Sequence, residues 1–364
     1  MVLLRGWFRI LFLYDVAEAF DLAKIQGLIG TRGAPLRQVL PRHSPQYMHF
    51  ANPPIEETAA PLTLPSSEVL ACSIKYYAYA VAVVQLNVSF CCDWSELIAQ
   101  TSRWMDPSEV EPLARATLRR HLNNVTPAVV KPNPEWLEES YLIISVQTAE
   151  RADGTVFTGA ELLAAHPNEI AQLVRGEPVA LSPKAVEEAL QGSLSYYPSD
   201  LVVIGASAAL VVDDSVDAAA TGQVLEIAKM QLLEFRYYDG LMSKLLSDVY
   251  DLLERKRNVL LARWSLPRDA HRVNTIRLDV MELTERIDNA VKFVSDIYYA
   301  RVYRLASTRI GLPDYRNLVD EKLRAIGEMY DFMVDQFNDA RSFVIEVGIA
   351  ILALLDVILP FRGR

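Results

Sequence analysis

An α+β domain followed by an all-helical region is the fold class predicted, on three observations. Short Val- and Tyr-rich runs of strand length mix irregularly with short capped helices as far as Asp214, without the regular alternation of a parallel α/β fold. From Ser215 onward, apolar residues recur three and four apart, the spacing of helices packed along a seam. The closing stretch, SFVIEVGIAILALLDVILPFRGR, turns apolar on every face. The expected divisions are an α+β domain over 1–214, a long-helix coiled-coil region over 215–341, and an apolar C-terminal helix with a basic tail over 342–364.

The opening MVLLRGWFRILFLYDV is apolar enough to suggest a signal peptide. Arg5, Gly6 and Arg9 cut that run and no small-residue cleavage site follows, so Trp7, Phe8, Ile10, Phe12 and Leu13 are expected in a first strand. DVAEAFDLAKIQGLIG carries a short helical pattern ending at Gly, and Thr31 to Pro65 is a Pro-rich connector with little periodicity. ACSIKYYAYAVAVVQLNVSF has strand composition, DWSELIAQTSRW opens a helix on an Asp cap, PSEVEPLARATLRRHL gives another helix, and SYLIISVQ a further strand. Short helices fill Thr158 to Leu190, the last capped by Ser182 with Pro183 in its first turn. DLVVIGASAALVVDD is expected to form a hairpin, split at Gly205 and Ser207 and stopped by Asp213 and Asp214.

In the helical region a first seam runs through Leu225, Ala228, Leu232 and Phe235, then Met242, Leu246, Val249 and Leu253, until SLPRDAH breaks it at Pro267. A second runs through Ile276, Val280, Leu283, Ile287, Ala290, Val294 and Ile297 to the stop at Gly311 and Pro313. Asp239 and Arg301 stand at seam positions where apolar residues are the rule. Polar seam residues fix register and partner number in oligomers, and a homo-oligomer is the expected state; the alternative is that each faces solvent.

The third helix keeps step from Val319 to Ile358, and from Asp314 to Leu359 it is about 69 Å long at roughly 1.5 Å per residue. The run from Phe343 to Phe361, with Val347, Ile351 and Leu355 inside it, falls within the roughly 17 to 25 residues that cross a bilayer. Glu346 and Asp356 oppose that reading, since a central carboxylate costs about 2.5 to 3.5 kcal/mol, but both lie towards the ends. A single-pass C-terminal anchor in the bacterial cytoplasmic membrane is the expectation, with a bundle or oligomer helix as the alternative. The lipid bilayer is the expected partner of this tail.

Composition narrows the function classes. With 364 residues, 51% of them hydrophobic and 23% charged, and a mean hydropathy of +0.12, the chain buries two cores and is not disordered as a whole. A net charge of −10 and a pI near 5.1 exclude a general nucleic-acid binder. In an otherwise acidic chain the loop TRGAPLRQVLPRH clusters Arg32, Arg37 and Arg42, which form either a solvated loop or a docking site for RNA, a ribosome or anionic lipid. Cys72, Cys91 and Cys92 form neither a disulfide framework nor a CxxC pair, and their odd count leads to the expectation of buried thiols. The five histidines show no HExxH, GLIGTRGAP lacks the GK[ST] of a phosphate loop, and GASAA lacks the GxSxG elbow. Neither a metal, a cofactor nor a catalytic residue is expected.

Several blocks carry a family resemblance: ILFLYDVAEAFDLAKI, YYAYAVAVVQLNVSF, QLLEFRYYDGLMSKLLSDVYDLLE, LDVMELTERIDNAVKFVSDIYYARVYRLA and DEKLRAIGEMYDFMVDQ. In order and spacing they resemble the RMD1/DUF155 family. That resemblance implies an α+β domain, a helical hairpin and a C-terminal membrane helix, with eukaryotic members tied to mitochondrial membranes and translation, or to microtubules. It brings no catalytic residues. A non-catalytic, membrane-anchored oligomeric scaffold with a possible protein partner leads the functional readings; an RNA- or ribosome-docking tether comes second and an enzyme of the α+β domain third.

Overall fold

The computed structural model describes residues 2–30, 33–35, 53–213, 215–254, 278 and 297–358. They fall into two compact units, one within Met1–Tyr237 and Arg286–Tyr315, the other within Tyr238–Glu285 and Arg316–Arg364.

A mixed nine-stranded sheet organises the first unit. Its strands are β1 (Leu3–Phe20), β2 (Gly33–Pro35), β3 (Ile55–Thr63), β4 (Val69–Tyr76), β5 (Val81–Cys92), β6 (Val129–Glu150), β7 (Ser193–Leu194), β8 (Leu201–Ile204) and β9 (Ala208–Val212). They lie in the order β2-β3-β4-β5-β1-β6-β9-β8-β7, antiparallel except for the parallel pair β6 and β9. β1 is central, and its sequence shows why: Leu4, Phe8, Ile10, Phe12 and Tyr14 face one side while Leu11 and Leu13 face the other, all buried.

The even-numbered face of β1 is roofed by six short helices: α1 (Leu22–Ile29), α2 (Trp94–Met105), α3 (Glu111–Val125), α4 (Gly159–Ala165), α5 (Pro167–Arg175) and α6 (Pro183–Leu190). Phe8, Ile10 and Phe12 join Ile25, Leu97, Leu118, Ile170 and Leu173 in one apolar core. Local chemistry sets the ends of these helices. Asp93 accepts a hydrogen bond from the Glu96 amide, Ser182 from that of Ala185, and Thr158 with Glu161 closes a reciprocal capping box.

Four strand expectations need correction. DVAEAF continues β1, held by β6 on its flank, where a helix start was expected. The expected connector contains β2 and β3. YYAYAV is split by a turn at Tyr77–Ala80, with Ala80 at φ 61, so one apolar block makes two strands. β6 begins at Val129, well before SYLIISVQ, because pairing with the end of β1 outweighs the low strand preference of its Pro and Glu residues.

Beyond the sheet, α7 (Ser215–Glu254), α8 (Ile297–Arg309) and α9 (Leu312–Ile358) form the helical part. Up to Tyr237, α7 lies on the odd-numbered face of β1. Val224, Leu225, Ile227, Ala228, Met230, Leu232, Leu233 and Phe235 are all buried, a band too wide for a coiled-coil seam, and the coiled-coil reading of this stretch is not supported. α8 is tied to α7 by hydrogen bonds from Tyr299 to Asp217, at 3.3 Å, and from Tyr303 to Gln231. The second seam from Ile276 to Val294 lies outside the described residues.

In the second unit, Met242 and Leu245 of α7 and Val319 and Ile326 of α9 are buried. α9 is one continuous helix about 70 Å long, as expected from the sequence. Among the described residues, however, no helix is long and apolar enough to cross a membrane, so the expected anchor is not supported. Glu346 and Asp356 fall within the apolar stretch, and the helix is described only to Ile358.

Candidate functional site

Chemistry-bearing side chains converge where α7 meets the sheet. Strand alternation places Glu56, Lys75, Gln85 and Arg9 on the face that receives α7, along neighbouring strands β3, β4, β5 and β1. From the helix comes Glu226, fully buried. Its Oε2 accepts from Lys75 Nζ at 2.6 Å and its Oε1 from the Tyr77 hydroxyl at 2.7 Å. On the outer side Ser73 Oγ donates to Glu56 at 2.9 Å. Burial and the neighbouring Glu226 carboxylate push the Tyr77 phenol well above its ordinary pKa, so it is a donor here.

One turn along α7, Lys229 Nζ donates to Glu139 of β6 at 2.8 Å and lies 5.4 Å from the Tyr141 ring centre. Arg236, two turns further on, pairs with the same carboxylate. Burial lowers the Lys229 pKa to about 8 despite the carboxylate beside it. Arg9 retains some solvent contact, yet its Nε is sealed with no hydrogen-bond partner among the described residues. Its guanidinium occupies the space beside Gly222, where a Cβ would come within 2.0 Å of Nη1. Burial lowers the Arg9 pKa, with Glu226 and Glu56 opposing.

This layer is a set of paired charges between two packed surfaces. Its ion pairs, Lys75 with Glu226 and Lys229 and Arg236 with Glu139, are satisfied internally. Among the described residues no group of three or more His, Cys, Asp or Glu side chains is placed to hold a metal. A second cluster, on the other face, has the same self-contained character: Arg115 bridges Glu111, at 2.6 Å, and Glu138 while covering the Tyr14 ring.

The residues singled out in the sequence are not brought together. Asp239 on α7 is paired with Lys322 of α9, whose Nζ also reaches Ser243 Oγ at 2.7 Å, so its charge is met within one chain. Arg301 on α8 is exposed. Arg32, Arg37, Arg42 and Phe361 lie outside the described residues. Phe343, Val347, Ile351 and Leu355 all fall within α9, where Val347 is exposed. Sequence reasoning missed Lys75, Glu226, Lys229 and Glu139; the only available signal was charge at positions that the surrounding apolar pattern assigns to a buried face.

Fold and site define a mixed-sheet α+β domain whose open face is closed by a charged, long helix. The chain belongs to the family of the uncharacterized protein MJ0711, N-terminal domain, whose model matches residues 5–218. It is 20% identical over 229 residues to the uncharacterized protein MJ0711 of Methanocaldococcus jannaschii, which covers 63% of this chain and 68% of that protein. No solved structure matches. The family found is thus MJ0711; an RMD1/DUF155 assignment is not shown.

Proposed function

We propose that the protein is a non-catalytic scaffold or tether that self-associates through α9, with the sheet domain as the rigid body it carries. The observation that supports this most is an uncovered apolar surface: Val347, Ile349 and Leu352 are 40%, 61% and 66% exposed near the end of α9. At about 100° per residue these three point to more than one side of the helix, so a helix bundle covers them better than a single groove does. A second copy is the occupant argued for. The exposed Glu346 among them favours an assembly with a wetted rim over burial in lipid. Kinship with the RMD1/DUF155 proteins belongs to the same proposal, supported by the succession of an α+β domain and long helices. Docking of RNA through Arg32, Arg37 and Arg42 has no described residue behind it.

Analytical ultracentrifugation of the full chain at micromolar concentration tests the reading. A dimer or larger assembly is expected, reduced to monomer by Val347→Asp with Leu352→Asp. A wild-type monomer that floats with phosphatidylglycerol vesicles would transfer the segment to a membrane role; a monomer that ignores vesicles would remove the scaffold altogether.

A further inference from the structure

Away from the charged layer, on the apolar face of the sheet, β3 and α3 border a cleft of about 550 Å³. That is a volume typical of small-molecule sites. Its two walls have separate local causes. On α3, Leu113, Ala116, Thr117, Arg120 and His121 are spaced three and four apart and form one stripe of the helix. On β3, the pairing with β4 shifts register between Ala59 and Leu62, and the residues skipped, Ala60 and Pro61, line the cleft. Bulges of this kind recur beside binding sites. β2 pairs β3 only over Ile55 to Glu57, so among the described residues the rest of β3 has a partner on one side alone. Pro61 lacks the amide that an added strand would need, which turns this edge away from strand docking and leaves the cleft for a smaller guest.

The floor is polar and already engaged. Glu57 is 1% exposed; its Oε2 accepts from the Tyr76 hydroxyl at 3.0 Å and lies 3.1 Å from His121 Nδ1. Arg120 is different. It donates to Thr117 Oγ1 at 3.1 Å and forms no ion pair among the described residues, and its side chain is exposed at the mouth. The cleft therefore combines a guanidinium without an ion pair among the described residues, a buried carboxylate, and apolar walls from Pro61, Leu62, Leu113 and Ala116.

We propose that this cleft binds a small monocarboxylate with an apolar body. The planar fork of Arg120 takes the carboxylate in a two-point contact, and the hydrocarbon lies between Pro61 and Leu113. A single negative charge matches the guanidinium that forms no ion pair among the described residues, whereas a second negative charge would meet that of Glu57, and an amine would meet Arg120 itself. This site is independent of self-association through α9.

Titration calorimetry on the full chain with hexanoate and phenylacetate is the test, against hexylamine, hexanamide and inorganic phosphate. Saturable binding of at least one acid is expected, weaker by at least about tenfold in Arg120→Met and by less in Arg120→Lys. Because Arg120 is exposed, both variants should keep the wild-type melting temperature, which circular dichroism checks. Binding of neither acid, equal affinity in folded Arg120→Met, or tighter binding of phosphate or amine would each overturn the proposal.

Discussion

The two faces of the central sheet are both buried, yet they are held by different physics. Under α1 to α6 the even face is mainly an apolar core, into which Glu57 brings a buried carboxylate, and stability there scales chiefly with contact and filled volume. Under α7 the odd face mixes Leu11, Leu13 and Ile143 with Lys75, Glu226, Lys229 and Glu139, so stability there also depends on every charge keeping its partner. An apolar face tolerates small slips of its lid. A charged one penalises any that separates an ion pair.

The largest expected effect breaks that contrast directly. Glu226→Gln leaves Lys75 buried without a counter-charge and should cost about 3–5 kcal/mol in urea unfolding. The double variant Lys75→Met with Glu226→Leu should recover most of the loss. Leu118→Ala, on the other face, should cost about 2–5 kcal/mol through its cavity, and no second charge substitution should rescue it. A cost below about 1 kcal/mol for Glu226→Gln would mean that the charged layer does not hold the helix.

An intermediate effect comes from Asp15, at the end of the α7-facing run of β1. Burial raises its pKa to about 7, against the opposing hydrogen bond from Asn133 at 3.1 Å. The folded chain thus keeps a proton that the unfolded chain releases near pH 4, and stability falls as pH rises between those values. Asp15→Asn should match the wild type near pH 4 and exceed it at pH 8 by roughly 1–3 kcal/mol. Parallel melting curves at the two pH values decide; an equal offset at both would show that Asp15 does not titrate this way.

The smallest effect sharpens the description of the apolar face. Thr158→Ala opens the capping box of α4 and should lower stability by about 1 kcal/mol, equally at pH 6 and pH 9. A change that depended on pH across that range would show that more than the cap is lost, since Glu161 also pairs with Arg151.

What the sequence showed of this molecule was its local chemistry. The caps at Asp93 and Ser182, the hairpin around Gly205, and the uninterrupted α9 all depend on neighbours within a few residues, and all are found. The full reach of β1 and β6 was hidden because it depends on pairing between segments more than a hundred residues apart, such as Ala19 with Val130. The charged layer was harder still. Lys75 and Glu226 are separated by 151 residues, and each alone resembles an ordinary solvated charge. The cleft shows the same division: the α3 stripe is periodic, whereas Glu57 and His121 meet from distant parts of the sequence, which no local pattern reveals.

Gly222 gives the charged face a further consequence, concerning how the helix finds its place. A glycine inside a helix costs about 1 kcal/mol relative to alanine, so its presence in α7 opposes helix formation. In return it leaves a notch that the Arg9 guanidinium fills, and that notch acts as an alignment mark. Sliding α7 by one turn, roughly 5.4 Å, would carry the notch away and present a side chain to the same guanidinium. Positions 9 and 222 should therefore vary together: a larger residue at 222 becomes tolerable when 9 becomes smaller, and the address of the helix on the sheet is written jointly in those two residues.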